Sequence, residues 1–414
     1  MIDTELHKRD ADTPLTGEFD VDRYPQAFAV EPVGPGISEG VLVAGVDDRV
    51  YLCYQERDLT AADPQEHFCY PVMLESTDAG RSWGEPRACC DESGNRIHGS
   101  HVSIFRLPTG RLALVCSDLQ NFCDGPPGRD GGSKITFRTS GDEGRTWSDP
   151  VLVYPLNALC TGGHPVVLTD GTIVLPSYRW ISYDSGAESE SFNSPSLSYS
   201  FSCTSDDGGA SWRVSHSQLF VSHYRSACDL EEPTVVELRD GRLLMHLRSQ
   251  LGRSFESYST DRGLNWSRPS PLPMAASYTP SLLRRMPTGE ILVVWNQVSR
   301  GEILKGLHRH RLSCAISRDE GATWENFKNL ESLDFRTVID PPPLDRREVI
   351  EQWEDYGYYQ PGDTEQYPRA PGGLRICYPN VLFHGDEALV VYDYGNGNVD
   401  GIKFRAIPTE WFLD

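Results

Sequence analysis

Twelve polar side chains mark the ends of six apolar segments, and their types suit work on a carbohydrate. Glu39, His101, His164, Glu232, Thr279 and Tyr378 each open a segment; Arg57, Asp118, Arg179, Arg248, Asn296 and Asp393 stand where its second half ends. A tyrosine is a poor nucleophile at its free pKa near 10, but a neighbouring carboxylate can take its proton as attack begins. Glu232 and Tyr378 could meet in that role. A neutral tyrosine also attacks a carbon beside a carboxylate with less charge repulsion than a second carboxylate would meet. Arginines in a chain of net charge −22 need a reason to converge, and bidentate recognition of a carboxylate or sulfate supplies one. The plainer alternative is that Arg57 and Arg248 only pair with Glu39 and Glu232. His101 and His164 have three readings: satisfied strand caps, contacts to sugar hydroxyls, or bases for β-elimination from a uronate together with a tyrosine. His98, His101 and His164 form a weak metal signal, because their spacing falls on irregular backbone, and no metal or other cofactor is assigned.

These residues need elements that bring them to one place. Residues 39–55, 101–115, 164–176, 232–248, 279–296 and 378–394 each read as an apolar stretch, a Gly- or Asp-rich turn, and a second apolar stretch. Alternation and β-branched content make each an antiparallel hairpin. An octapeptide, S-x-D-x-G-x-x-W, occurs at 76–83, 140–147, 205–212, 259–266 and 317–324. It reads as a hairpin turn: Asp accepts hydrogen bonds from the backbone, Gly takes the positive φ, and Trp packs on an adjoining sheet. Six inner hairpins and five such turns predict an all-β, six-bladed β-propeller with four-stranded antiparallel blades. Residues 402–412 read as an outer strand of the last blade. In a propeller, inner strands begin at one channel mouth and their partners end there, so the twelve residues form two rings. The competing expectation is that strand ends are simply capped by polar residues near solvent.

Length alone would suggest two or three domains for 414 residues, but a toroid adds core with each repeat, so residues 1–414 are read as one domain. Residues 333–373, rich in Pro, Tyr and acidic residues and helical around 345–355, form an insertion before the last hairpin. It reads either as a lid or subsite wall or as a surface excursion or contact in a homo-oligomer. The Ser-rich stretch 181–198 reads as a flexible loop. Eleven cysteines, an odd number with a vicinal pair at Cys89 and Cys90 and no CxxC, argue for reduced thiols over a disulfide framework. With no apolar stretch in residues 1–10, the expected location is the cytoplasm. The acidic balance excludes nucleic acid and anionic membrane surfaces as partners, and no apolar run is long enough to span a bilayer.

The repeated octapeptide is the Asp-box, and along nearly its whole length the sequence resembles bacterial sialidases. Glu232-Pro233 followed by Arg248, Tyr378 opening the last inner strand, and Arg57 and Asp63 preceding the first Asp-box all match that family's layout. An arginine eight residues before the fifth-blade Asp-box selects Arg309, with Arg311 as the near miss. The resemblance implies an exo-acting glycoside hydrolase acting on a terminal, acidic sugar. Tyr378 and Glu232 would be the nucleophile pair, Asp63 the acid/base, and Arg57, Arg248 and Arg309 substrate contacts. One departure stands out. Where the family has Arg-Ile-Pro, this chain has Ser38-Glu39-Gly40; Arg23-Tyr24-Pro25 lies fifteen residues too early, and Arg23 would serve only through a longer loop. With one clamp arginine missing and Glu39 beside its place, weak hydrolysis of ordinary sialosides is expected. The alternatives are a non-catalytic carbohydrate-binding propeller and a His/Tyr polysaccharide lyase.

Overall fold

The computed structural model describes residues 26–34, 36–58, 69–118, 134–156, 158–160, 165–182, 196–221, 230–249, 251–299, 302, 307–333, 335–341, 375–395 and 400–414. Each apolar segment folds as the two innermost strands of one blade. Blade 1 runs Ile37–Ala44, Val50–Arg57, Cys69–Ser76 and Arg87–Ala88, and blade 2 runs Gly99–Arg106, Leu112–Asp118, Lys134–Ser140 and Val151–Leu152. In blade 3 the innermost place is shared by two short pieces, Leu159–Cys160 and Val166–Val167, followed by Ile173–Ser182, Ser196–Ser205 and Arg213–Val214. Blade 4 comprises Glu231–Glu237, Leu243–Arg248, Arg253–Ser259 and Ser270–Ala275, and blade 5 Leu282–Arg285, Ile291–Asn296, Arg311–Ser317 and Glu325–Ser332. Blade 6 takes Arg375–His384, Glu387–Gly395 and Asp400–Pro408, and its outermost strand is Gln26–Gly34 from the other end of the chain. The fold is the all-β, six-bladed propeller that the repeats imply.

Ring closure refines one expectation. Residues 402–408 do lie in a strand outside the inner hairpin, and residues 409–412 form a 3-10 turn. But Asp400–Pro408 is third in its sheet and not at the edge: it pairs antiparallel with Gln26–Gly34 on one side and Glu387–Gly395 on the other. Its burial on both faces is that of an interior strand, and local alternation cannot say which strand takes an edge. The same closure explains why six blades carry five Asp-boxes. Each box joins the third strand of a blade to the fourth, and in blade 6 the fourth strand arrives from elsewhere in the chain.

The boxes are built alike. In the first, Ser76 Oγ accepts the Gly80 N–H and donates to Asp78 Oδ1, both at 2.8 Å, while Asp78 Oδ1 accepts the Ser82 N–H at 2.8 Å. The tryptophan reaches back to the preceding blade. Trp83 meets Phe404 of blade 6 edge-on at 5.9 Å, Trp212 meets Phe137 of blade 2 at 5.4 Å, and Trp324 meets His246 of blade 4 at 5.5 Å. Six apolar clusters fill the six seams between blades, for example Leu292 and Val294 of blade 5 against Val381 and Val390 of blade 6. The apolar core is therefore a set of wedges around an axis, which leaves the axis to polar residues. The Asp-box glycine sits tightly in its seam: Gly209 has φ 93°, and a Cβ there would lie 2.2 Å from Phe137. Gly209→Ala should therefore combine left-handed strain with overpacking, a loss of about 2–5 kcal/mol in urea unfolding. A change under about 0.5 kcal/mol would mean that Phe137 yields and the seam is loose.

Candidate active site at the channel mouth

The opening residues are aimed by a repeated backbone device. Glu39, His101, Glu232 and Tyr378 have φ of 59°, 53°, 40° and 52°, a left-handed conformation that costs a non-glycine residue roughly 1–3 kcal/mol. The ladder register breaks at each of them: Ser38/Val41, Ser100/Ser103, Glu231/Thr234 and Cys377/Asn380. A bulge frees one residue from the strand's alternation and turns its side chain to the axis. Two of the backbone N–H groups so displaced are taken up by the blade next door. Glu39 N–H donates to Asp393 Oδ1 at 2.8 Å, and His101 N–H to Gln55 Oε1 at 2.9 Å. Pro233 and Pro379, following Glu232 and Tyr378, bring no N–H to satisfy.

At the mouth, the Tyr378 hydroxyl donates to Glu232 Oε1 at 2.9 Å. Glu232 forms a short ion pair with Arg248 Nη1. The Arg248 guanidinium lies 3.6 Å over the Tyr278 ring, and the Tyr278 hydroxyl donates to Glu231 Oε2 at 2.6 Å. Two adjacent glutamates and two tyrosines thus hold one arginine in place. Burial pushes the Tyr378 phenol well above its usual range, and the Glu232 charge raises it further against Arg248 and Arg309. Arg309 stands 5.7 Å from the Tyr378 ring, with Nη1 3.4 Å from Cys377 Sγ. A third arginine, Arg375, runs beside it: Ile376 N–H bonds to the Arg309 carbonyl at 2.8 Å, and Arg375 Nη1 lies 3.7 Å from Asp400 Oδ1.

Across from these lies an acidic floor. Glu39 is 6% exposed, and its pKa is pushed up to about 8 by burial first and by Glu232 second, with Arg375 and Arg248 opposing. Burial likewise raises Asp393 well above the carboxylate range. His101 places Nδ1 3.0 Å from Ser100 Oγ and Nε2 3.3 Å from the Tyr178 hydroxyl, 4.0 Å from Glu39 Oε1. Burial lowers its pKa, so the ring is neutral near pH 7.

The BNR repeat-like domain profile matches residues 72–387. The chain belongs to the BNR repeat-like domain family. No curated protein matches it. A protein of unknown function from Dyadobacter fermentans superimposes with TM-score 0.60 at 16% identity, over 92% of this chain and 97% of that one. The Hadza microbial sialidase Hz136 gives 0.59 at 16%, over 91% and 66%, and the Trypanosoma rangeli sialidase 0.58 at 12%, over 92% and 56%. This BNR propeller thus spans little more than half of the trypanosome chain, and the likeness is one of fold.

Of the residues singled out in sequence, the BNR propeller brings Tyr378, Glu232, Arg248, Arg309, Glu39, His101 and Asp393 together at one mouth. Arg57 is exposed at the end of its strand and hydrogen-bonds to Cys69, which feels the charge of Glu39, while Gln55 places Nε2 2.6 Å from Ser38 Oγ. Glu39 is faced by Arg375 and Arg248 and not paired with Arg57. Arg179 bonds to Tyr154 in the seam with blade 2, and its neighbour Tyr178 reaches His101, because a count one residue out puts a β side chain on the opposite face. Asn296 is fully buried and its amide donates to the carbonyls of Arg311 and Ile376 at 2.9 and 2.7 Å, so it anchors the strand carrying Tyr378 instead of facing a ligand. Thr279 is buried, next to Tyr278. Arg311 is fully buried on Glu302 at 2.8 Å, which leaves Arg309 as the arginine at the mouth. Asp63, His164, Arg23, residues 342–373, most of the 181–198 stretch and the side chain of Asp118 lie outside the described residues. Sequence reading missed Arg375, Gln55, Tyr178, Tyr278 and Glu231. Four of these sit within two residues of a residue that was chosen, and Arg375 precedes Tyr378 by three.

Proposed function

We propose that this BNR propeller is an exo-acting glycosidase that removes a terminal acidic sugar, with Tyr378 as nucleophile and Glu232 as its base. The observation that carries the reading is the 2.9 Å hydrogen bond from Tyr378 to Glu232. Burial makes a free phenolate costly, so the proton passes to Glu232 while the tyrosine oxygen bonds to the anomeric carbon. An acidic group on the sugar competes with Glu232 for Arg248. Asp63 donates a proton to the leaving oxygen and then takes one from the water that releases the sugar. Arg248, Arg309 and Arg375 supply three guanidiniums for the acidic group. The sequence-based expectation of weak sialoside hydrolysis counted two arginines and an ionised Glu39. Arg375 beside a proton-bearing Glu39 supports the acidic sugar that the sequence implies and removes the reason to expect weak sialoside hydrolysis. A structural neighbour, the Trypanosoma rangeli sialidase, is known in complex with sialic acid.

The test is turnover of aryl glycosides of sialic, uronic and neutral sugars. An acidic glycoside should be cleaved, and Arg375→Ala should lower kcat/KM for it by about 10- to 100-fold, one hydrogen bond to a charged group. Binding without turnover would support the non-catalytic alternative. A lyase reading draws support from neutral His101 beside the Tyr178 hydroxyl at 3.3 Å. It would announce itself by an unsaturated, ultraviolet-absorbing uronate product.

A further inference from the structure

Glu231 is the acidic residue that cross-strand pairing sets against Arg248. The two stand directly opposite each other in blade 4, one opening the innermost strand and the other closing its partner. Side chains at such a pair are neighbours, and opposite charges there attract. Arg248 nevertheless takes Glu232, from the bulge, as its close partner through Nη1, while Glu231 Oε2 stays 4.0 Å from Nη2. That same Oε2 accepts the Tyr278 hydroxyl at 2.6 Å.

Tyr278 is well placed to hold it. The residue is half-buried in the bend between blades 4 and 5, and its backbone is pinned on both sides. Ser277 N–H donates to the Asn296 carbonyl at 2.9 Å, and Thr279 N–H to the Ser277 carbonyl at 2.8 Å. The Tyr278 ring lies under the Arg248 guanidinium at 3.6 Å, a stacking distance, and its carbonyl accepts Arg309 Nη2 at 3.5 Å. One side chain therefore touches Arg248 with its ring and the rival carboxylate of Arg248 with its hydroxyl.

Resting on the glycosidase reading above, we propose that Tyr278 is a positioning residue for acid recognition: its hydroxyl holds Glu231 off Arg248, so that the acidic group of the sugar competes with one carboxylate for that guanidinium and not with two. Without the hydroxyl, Glu231 Oε2 loses a short donor, and a movement of about 1 Å brings it within ordinary hydrogen-bond distance of Nη2. An acidic ligand must then displace a second charge-assisted hydrogen bond, which weakens its binding by about 10- to 100-fold. A neutral sugar has no use for the arginine and loses nothing.

The experiment is calorimetric binding of free sialic acid, free glucuronate and, as the neutral control, galactose, at pH 7. It is run on the native chain, on Tyr278→Phe, on Glu231→Gln and on the double variant. Phenylalanine keeps the ring against Arg248 and removes only the hydroxyl. The native chain should bind an acidic sugar, and Tyr278→Phe should bind it about 10- to 100-fold more weakly. Adding Glu231→Gln should return the affinity to within about threefold of the native value, because an amide does not compete as an anion. That rescue separates positioning from lost packing, which a change at Glu231 would not repair. An acidic sugar bound equally by the native chain and Tyr278→Phe, or a loss that the double variant keeps, overturns the role of Tyr278 and leaves the glycosidase reading standing. A native chain that binds neither acid, whether or not it binds galactose, overturns that reading and this proposal with it. Should Tyr278→Phe fail to fold, Glu231→Gln decides alone: it should bind the acid at least as tightly as the native chain, and weaker binding overturns the proposal.

Discussion

Tyr378→Phe is expected to abolish turnover, lowering kcat by at least about a thousandfold, while the melting temperature moves by no more than a few degrees. The substitution removes one oxygen. Phe fills the same volume, keeps the ring beside Arg309, and sits in the same left-handed bulge, which phenylalanine tolerates no worse than tyrosine. Glu232 loses the hydroxyl at 2.9 Å but retains its ion pair with Arg248, so its charge stays compensated. A hydrogen bond to a charged group contributes about 1.5–3 kcal/mol, and the retained ion pair offsets part of that loss. The chemistry has no such reserve, since no other hydroxyl contacts Glu232 among the described residues. Steady-state kinetics on the best aryl glycoside, beside a thermal melt, measure both quantities. Retained turnover would remove the tyrosine mechanism and direct attention to His101 and Tyr178.

Arg248→Met should have the largest combined effect, losing both activity and about 3–5 kcal/mol of stability. Arg248 is 8% exposed and is the cation between Glu231 and Glu232, which are 2% and 3% exposed. Removing it leaves two adjacent buried carboxylates without their counter-charge, and the stacked face of Tyr278 without its cation. Urea unfolding of the native chain and the variant gives the comparison, and a deficit under about 0.5 kcal/mol would show that the two carboxylates do not depend on Arg248.

Much of this architecture is local and therefore readable from the chain. An Asp-box closes its hydrogen bonds within five residues, from Ser76 to Gly80 and from Asp78 to Ser82, so its presence in sequence is its presence in space. Strand alternation is equally local, and it is what makes the paired inner strands of the blades legible in the sequence. Arg248 ends its strand as counting predicts, whereas Glu232 and Tyr378 lie just inside theirs, at register breaks that counting does not show.

What the chain could not reveal alone depends on sums over distant parts. Which strand closes the ring is decided by the pairing of Gln26–Gly34 with Asp400–Pro408, a contact across almost the whole sequence. Bulges at Glu39, His101, Glu232 and Tyr378 decide which side chains face the axis. A single residue of slip separates Tyr178, which reaches His101, from Arg179, which does not. Arg375 becomes part of the site only because its strand runs beside Arg309 of the neighbouring blade. Glu39 is the clearest case. In sequence it is an acidic residue beside the place of a missing arginine, and its charge counts against an anionic ligand. In the folded chain burial outweighs the arginines, because desolvation grows with every blade that closes over the carboxyl, and the residue holds its proton. Residue type and spacing determined which groups arrive at the mouth; only tertiary packing decided how each of them is charged.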